Sequence, residues 1–302
     1  MSLRMLFNDA YLSGLMREWP TKPAIHELPA ESKLPLIINA EVLDRYVDSC
    51  AMPADKVIVI MSGAALHPRA YTTAGDLDPA KVGNWRGRGY SLQLRNINRW
   101  YPPLHAMCSA IQGETGYGCY VAGFVSPAGA QGLNHHWDQS SVFVYQVVGR
   151  KTWQIWKPVV EEPHRDYLAS NAPPGREVVN RLKAAGPDHE FDLRAGQVLV
   201  LPRGCMHSPH TRGQEDQSIH LTFVMRERTG HWIGEKLAQA AIRSAPLRRV
   251  IPPDRVVDLA AFAEQIDEAR TLLVKWLASV DDVALAAELL EAARTEPDVD
   301  YV

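Results

Sequence analysis

Two short stretches set the strongest constraint on how this chain folds. They are Asn134-His135-His136-Trp137-Asp138 and, about seventy residues later, Leu201-Pro202-Arg203-Gly204-Cys205-Met206-His207. Together they supply two imidazoles and one carboxylate, the donor set with which three protein groups hold one face of a non-haem Fe(II) ion and leave the other face open. In a strand, residues i and i+2 point to the same face, so a strand here turns His136 and Asp138 together and Trp137 away. His135 then shares the Trp137 face and is the weaker ligand candidate. An H-x-D tripeptide is common by chance, so the weight falls on whether the fold brings His207 back.

The flanking sequence supplies that return. After Asp138 come Ser141-Val142-Phe143-Val144-Tyr145-Gln146-Val147-Val148 and, beyond Gly149-Arg150, Lys151-Thr152-Trp153-Gln154-Ile155-Trp156. Both runs are rich in β-branched and aromatic residues, and a glycine-containing turn joins them as a hairpin. Further on, Ala195-Gly196 starts a turn and Gln197-Val198-Leu199-Val200-Leu201 reads as a buried strand. Pro202-Arg203-Gly204 is a second turn, which delivers His207.

These residues resemble a known family. Gly132-Leu133-Asn134-His135-His136-Trp137-Asp138, Val142-Phe143, Gln146, Gly149-Arg150-Lys151, Trp153, Gly196 and Pro202-Arg203-Gly204 through His207 are similar to the JmjC-type cupin oxygenases called ribosomal oxygenases. The likeness extends upstream through Leu92-Gln93-Leu94-Arg95-Asn96-Ile97-Asn98-Arg99-Trp100-Tyr101-Pro102-Pro103-Leu104, and downstream through Ser218-Ile219-His220-Leu221-Thr222. Those proteins are Fe(II)- and 2-oxoglutarate-dependent protein hydroxylases. The resemblance implies a mainly β fold with helical additions, whose core is a double-stranded β-helix (jelly-roll, cupin/JmjC type). It also implies that His136, Asp138 and His207 are iron ligands and that Lys151 binds the distal carboxylate of 2-oxoglutarate. An ammonium on a neighbouring strand suits that task, because a dicarboxylate chelating iron through its keto-acid end leaves a second carboxylate to be neutralised. By pattern alone, Arg150 and Lys151 are a pair of solvated turn charges, and Arg150 keeps that reading.

The chain also departs from the family. In Cys119-Tyr120-Val121-Ala122-Gly123-Phe124-Val125-Ser126-Pro127 it has Ala122 and Phe124 where the family commonly places an asparagine and a tyrosine that help hold 2-oxoglutarate. Loss of a phenolic hydroxyl removes a hydrogen bond worth about 0.5–1.5 kcal/mol net, and more against a charged acceptor. Ser126, Tyr145 and Thr222 are the candidate replacements, each also readable as a packed strand residue.

Composition sets outer bounds. With 302 residues, 46% hydrophobic and 22% charged, the chain is long enough for a substantial core plus an appended subdomain. Cys50, Cys108, Cys119 and Cys205 have neither metal-site nor disulfide-framework spacing, which suits a reducing, cytoplasmic setting. Cys205, two residues before His207, reads as a partly buried structural thiol near the metal. No apolar run reaches the roughly 20 residues of a membrane helix, and the N-terminus has no signal-peptide core. A net charge of −3 lacks the basic bias of a general nucleic-acid binder.

The pattern divides the chain into an N-terminal helical and mixed region over 1–90, a catalytic core over 91–230 and a C-terminal helical subdomain over 231–302. Residues 1 to about 30 read as helical. Residues 34–62 read as a short strand, a helix around Ala40–Val47 and the strand Lys56–Met61. The stretch 62–91 reads as a loop near the site's mouth, and Pro158–Phe191, with Pro173-Pro174-Gly175, as a long excursion. Asp254 is a predicted N-cap, with Phe262, Ile266, Ala269, Leu273 and Trp276 as one apolar stripe. Asp281 caps the next helix, whose buried side is Val283, Ala287 and Leu290. The family often dimerises through such helices and follows them with a winged helix, for which the stretch up to Val302 is too short.

The expected function is therefore an Fe(II)- and 2-oxoglutarate-dependent oxygenase, consuming O2 and releasing succinate and carbon dioxide as it hydroxylates a side chain of a protein or peptide. Histidine and arginine are the family's precedents, and a small-molecule substrate is compatible with the changed strand positions. A homodimer is expected, with neither membrane nor direct nucleic-acid binding. The same residues admit two alternatives: a metallo-cupin with non-oxidative chemistry, indifferent to 2-oxoglutarate, and a catalytically silent cupin-like binding protein or regulator.

Overall fold

Strand alternation organises the first of two compact units, residues 1–227 and 228–297, into which the chain divides in the computed structural model. The structure describes residues 2–49, 52–164, 167 and 174–296. Its strands are β1 (Ala24–Glu27), β2 (Val57–Met61), β3 (Ala64–Ala65), β4 (Thr72–Thr73), β5 (Asp76–Leu77), β6 (Ser91–Leu94), β7 (Gly118–Ser126), β8 (Ser141–Val148), β9 (Arg150–Pro158), β10 (His189–Arg194), β11 (Gln197–Leu201), β12 (Cys205–His210) and β13 (Ser218–Arg226). An eight-stranded sheet runs β1-β11-β8-β13-β7-β6-β2-β3, and a three-stranded sheet runs β10-β9-β12. β4 and β5 form a separate small ribbon.

All the pairings are antiparallel, so each strand offers alternate residues to its two faces. On β8, Phe143 and Tyr145 join a large apolar cluster with Leu3, Phe7, Leu104, Met107 and Ile111. Val142 and Val144, the alternate residues, pack with Leu199, Leu201, Trp153, Ile155 and Leu193. The second cluster draws on strands of both sheets, so it is the filling between them, and its open end becomes the candidate site. Apolar alternation on β8 and β11 thus builds the double-layered β core that the sequence implies.

The N-terminal residues belong to the same unit because β1, β2, β3 and β6 are strands of the large sheet. Here the structure corrects several expectations. Among the described residues before 30 only Asp9–Leu15 is α-helical, with a 3-10 turn at Leu3–Met5 and the short strand β1 at Ala24–Glu27. The strand expected after residue 34 is instead the helical turn Leu34–Ile37, which a proline at its start favours. The expected loop 62–91 contains β3, β4, β5 and the helix Pro79–Gly87, capped by Asp78 accepting from the Lys81 amide. Glycine and alanine content obscured these short elements. Pro158–Phe191 carries the helix Arg176–Ala185 and the start of β10, while Pro173 lies outside the described residues.

The second unit is helical. Leu259–Leu277 is capped by Asp258, whose carboxylate accepts from the Ala261 amide, so Asp254 is not its cap but a first-turn residue of the short helix Pro253–Val257. Asp281 caps Asp282–Thr295 as expected, accepting from the Val283 and Ala284 amides. That helix buries Leu285 and Ala293 rather than the expected face: Val283 is 79% and Leu290 51% exposed. Among the described residues no helix is long and apolar enough to cross a membrane.

One glycine secures the hairpin between the sheets. Gly149 has φ +66°, and a Cβ there would run into the carbonyl oxygen of Gln217. Gly149→Ala therefore meets both the left-handed backbone penalty and a backbone clash. It should lower unfolding stability by about 2–4 kcal/mol in urea titration, whereas Gly213→Ala, also at positive φ but in open space, should cost less.

Candidate active site

The metal cluster rests on an isolated β-bridge rather than on a continuous strand. The segment around His136 is irregular, and its one ladder element is His136 against His207. The His136 amide donates to the His207 carbonyl at 3.1 Å, and the His207 amide returns to the His136 carbonyl at 2.8 Å. The same-strand argument for His136 and Asp138 is therefore corrected, although its consequence survives. Asp138 is held by its own carbonyl, which accepts from the Gly204 amide at 2.8 Å. A bulge between Cys205 and Met206 on β12 sets the register at which His207 arrives.

One ligand atom from each of His136, Asp138 and His207 lies within 4.8 Å of the others. His207 Nε2 stands 3.7 Å from Asp138 Oδ2, and the two imidazole centroids are 4.1 Å apart. Each ring has its other nitrogen committed: His136 Nδ1 lies 2.7 Å from the Asn134 carbonyl oxygen, and His207 Nδ1 lies 3.0 Å from that of Cys205. A carbonyl only accepts, so both rings carry the proton on Nδ1 and present the Nε2 lone pair inward. Burial, with His136 beside it, brings the His207 pKa down to about 4, which keeps the ring neutral and ready to ligate. Two imidazoles and a carboxylate converging in this way fit a divalent ion of the facial-triad type.

Lys151 lies in the same cavity, of about 490 Å³, as the three ligand residues. On β9 the inward residues are Lys151, Trp153 and Ile155, while Arg150 is exposed. Lys151 is 3% exposed and its Nζ donates to Ser126 Oγ at 2.8 Å; Ser126 and Ser91 hydroxyls are 3.1 Å apart. Burial alone pushes the Lys151 pKa down to about 7. An ammonium so enclosed, with one neutral hydroxyl as its hydrogen-bond partner among the described residues, is arranged to receive an anion.

β7 and β13 line the cavity with alternate residues, Ala122, Phe124 and Ser126 on one and His220 and Thr222 on the other. Ser126 and Thr222 thus line the cavity. Tyr145 does not: with Val142 lining the cavity, alternation turns Tyr145 into the opposite apolar cluster, where burial raises its pKa to about 12. His135 is half-buried with its ring 5.1 Å from that of Trp156 and is not part of the metal cluster. Cys205 is a buried thiol, its pKa raised to about 11 by burial and by Asp188. The sequence reading overlooked His220 as a site residue, although it sits two positions before Thr222 and so shares its face.

Comparison with known proteins agrees with this architecture. Residues 99–232 match the family model described as JmjC domain, so this stretch of the chain is similar to JmjC domains. The chain is similar to the "Bifunctional lysine-specific demethylase and histidyl-hydroxylase NO66" of Drosophila willistoni, with 31% identity over 182 residues, 58% of this chain and 23% of that protein. It is likewise similar to mouse "Ribosomal oxygenase 2", with 31% identity over 204 residues, 63% of this chain and 42% of that protein. The chain thus spans less than half the length of these two relatives. Its fold is like that of the Escherichia coli ribosomal oxygenase YcfD solved with cobalt and 2-oxoglutarate, with a TM-score of 0.56 and 14% identity over 96% of this chain and 72% of that one.

The ligand geometry makes a direct prediction. His136→Ala or His207→Ala should weaken Co(II) or Mn(II) binding by at least about 100-fold in calorimetry, the loss expected when one of three ligands goes. His135→Ala should leave it unchanged. Equal loss in all three variants would contradict the assignment.

Proposed function

We propose that this protein is an Fe(II)- and 2-oxoglutarate-dependent hydroxylase acting on a side chain of a protein or peptide. The observation that carries the reading is the His136-Asp138-His207 cluster sharing one cavity with a buried lysine. In this chemistry the iron activates oxygen at the expense of 2-oxoglutarate, which is decarboxylated to succinate. The chain's own residues bind and orient. His136 and His207 offer Nε2 lone pairs, and Asp138 supplies the negative charge that offsets part of the ion's own. Lys151 neutralises the distal carboxylate of the cosubstrate, with Ser126 steering its Nζ. Phe124, Val142, Trp153 and Val224 give the cavity an apolar lining that keeps bulk water from the reacting atoms.

The relatives' names, a ribosomal oxygenase and a histidyl-hydroxylase, support a protein side chain as substrate. Cys108 and Cys205 are buried thiols outside any disulfide, the state that a cytoplasmic setting maintains.

The test is anaerobic titration of the Fe(II)-loaded protein with 2-oxoglutarate, followed through the metal-to-ligand charge-transfer band. Saturable binding supports the reading; Fe(II) binding without any response to 2-oxoglutarate would favour non-oxidative metallo-cupin chemistry. Lys151→Ala should weaken cosubstrate binding by about 10–100-fold with metal affinity unchanged, the magnitude of a hydrogen bond to a charged group. The pH dependence has a definite sign. Below pH 7 Lys151 is charged both free and in the complex, so affinity is flat with respect to this group. Above its free pKa of about 7 the complex must recover the proton, so binding takes up a proton and affinity falls by up to about tenfold per pH unit. Calorimetry in buffers of different ionisation enthalpy reads that uptake directly, and Lys151→Ala should abolish it.

We further propose a homodimer formed through the helical unit. The helix Leu259–Leu277 has no buried residue, with Leu259 86%, Phe262 38%, Ile266 57% and Val274 61% exposed. Of the expected stripe, Leu273 and Trp276 are half-buried, and the apolar side chains left exposed along this helix are covered most economically by a symmetry mate. Light scattering at micromolar concentration should report about 67 kDa, twice the 33.6 kDa chain. Ile266→Glu should shift it towards the monomer; a monomeric mass for the unsubstituted protein would remove the dimer and leave the oxygenase reading intact.

A further inference from the structure

His220 is 2% exposed, lines the cavity, and has a buried Nδ1 with no hydrogen-bond partner among the described residues. Buried polar atoms are paired in the great majority of cases, so an orphan in a cavity wall points to a group that completes it. A second orphan lies in the opposing wall. Trp153 Nε1 on β9 is also buried with no partner among the described residues, and the two rings meet edge to face with centroids 5.5 Å apart.

The position of His220 narrows what that group is. Its ring stacks on Phe124, its register partner on β7, with centroids 4.8 Å apart and planes 15° from parallel. Ser126, two residues further along the same face of β7, is the hydroxyl to which Lys151 donates. On the other side, Trp153 links His220 to the metal cluster, since its ring stacks on that of His207 at 5.7 Å. Lys151 and His207 are both close enough to His220 to disfavour its protonation, which burial disfavours most. The ring therefore sits neutral, with one N–H and one lone pair, in the stretch of wall between the metal ligands and Lys151.

We infer that His220 is a cosubstrate-binding residue, donating a hydrogen bond to the distal carboxylate of the 2-oxo dicarboxylate that Lys151 neutralises. The inference rests on the 2-oxoglutarate reading given above. A neutral imidazole suits the place: it adds a donor without adding a second cation beside Lys151, and Phe124 beneath it has a hydrocarbon face with no hydroxyl to offer. Ser126 Oγ accepts from both Lys151 Nζ and the Ser91 hydroxyl, which leaves its own O–H as a donor beside His220. His220, with its unpartnered ring nitrogen, is a further polar group of that wall with capacity to spare.

The experiment compares the Mn(II)-loaded protein with His220→Leu, His220→Met and His220→Gln, titrated calorimetrically with 2-oxoglutarate and with pyruvate, which shares the 2-oxo acid end but lacks the distal carboxylate. The apolar variants should bind 2-oxoglutarate about tenfold or more weakly and pyruvate unchanged, while His220→Gln, which keeps an N–H donor, stays within about threefold of the parent. Thermal melts of the ligand-free apolar variants should not fall, because the substitution removes an unsatisfied polar atom. Unchanged 2-oxoglutarate affinity in folded His220→Leu or His220→Met overturns the inference, as does equal weakening of pyruvate, which would put His220 at the metal end. Loss of folding in both apolar variants makes His220 structural and overturns it too. If the parent protein binds Mn(II) but not 2-oxoglutarate, the cosubstrate reading itself fails, an outcome distinct from the failure of His220 alone.

Discussion

The paired backbone hydrogen bonds between His136 and His207 are the constraint on which the site depends. They tie an irregular segment to the middle of β12, and each bond belongs to a residue whose ring faces the same small volume. Side chains that must meet at one ion need their backbones fixed to within a fraction of an ångström, and a residue-to-residue bridge does this without a strand on both sides. The commitment of both Nδ1 protons to local carbonyls completes the arrangement, since it settles which nitrogen of each ring looks inward. Neither ring then needs an external partner to be oriented before a metal arrives.

Lys151 poses the opposite problem, a charge whose burial costs free energy until an anion joins it. The three-stranded sheet accepts this cost because β9 carries Lys151, Trp153 and Ile155 on one face, and two apolar neighbours hold the strand's register against the large sheet. A one-residue slip would turn Arg150 inward and Lys151 out, but it would also expose Trp153 and Ile155. Hydrophobic packing thus positions a charge that electrostatics alone would leave in water. Lys151 with its pKa near 7, Ser126 accepting from it, and His220, whose Nδ1 has no partner among the described residues, describe a cavity whose polar groups are completed by a ligand.

Much of this was legible in sequence where the signal was local. The hairpin around Gly149, the buried strand Gln197–Leu201, the turn before His207 and the cap at Asp281 all follow from alternation and turn chemistry within a few residues. The assignment of Lys151 came from family resemblance, and the alternation of β9 explains it physically. The failures are equally instructive. Val283 and Leu290 have the spacing of a buried face yet are exposed, while Leu285 and Ala293 are buried; periodicity locates a stripe, but what covers it is a matter of neighbours. The elements between 62 and 91 were missed because two-residue strands carry almost no periodic signal.

By itself the sequence determined the donor types and the double-layered β core, because each of these is set by residue chemistry and a two-residue period. The tertiary structure decided which of those residues meet. It replaced a presumed strand at His136 and Asp138 with a single bridge to His207, and it turned Tyr145 away from the cavity into the apolar cluster. It also left His220 with an unpartnered nitrogen beside Lys151. The physical reason is that alternation is fixed by neighbours along the chain, whereas convergence and unmet hydrogen bonds depend on residues far apart in sequence whose distances only the packed sheets define.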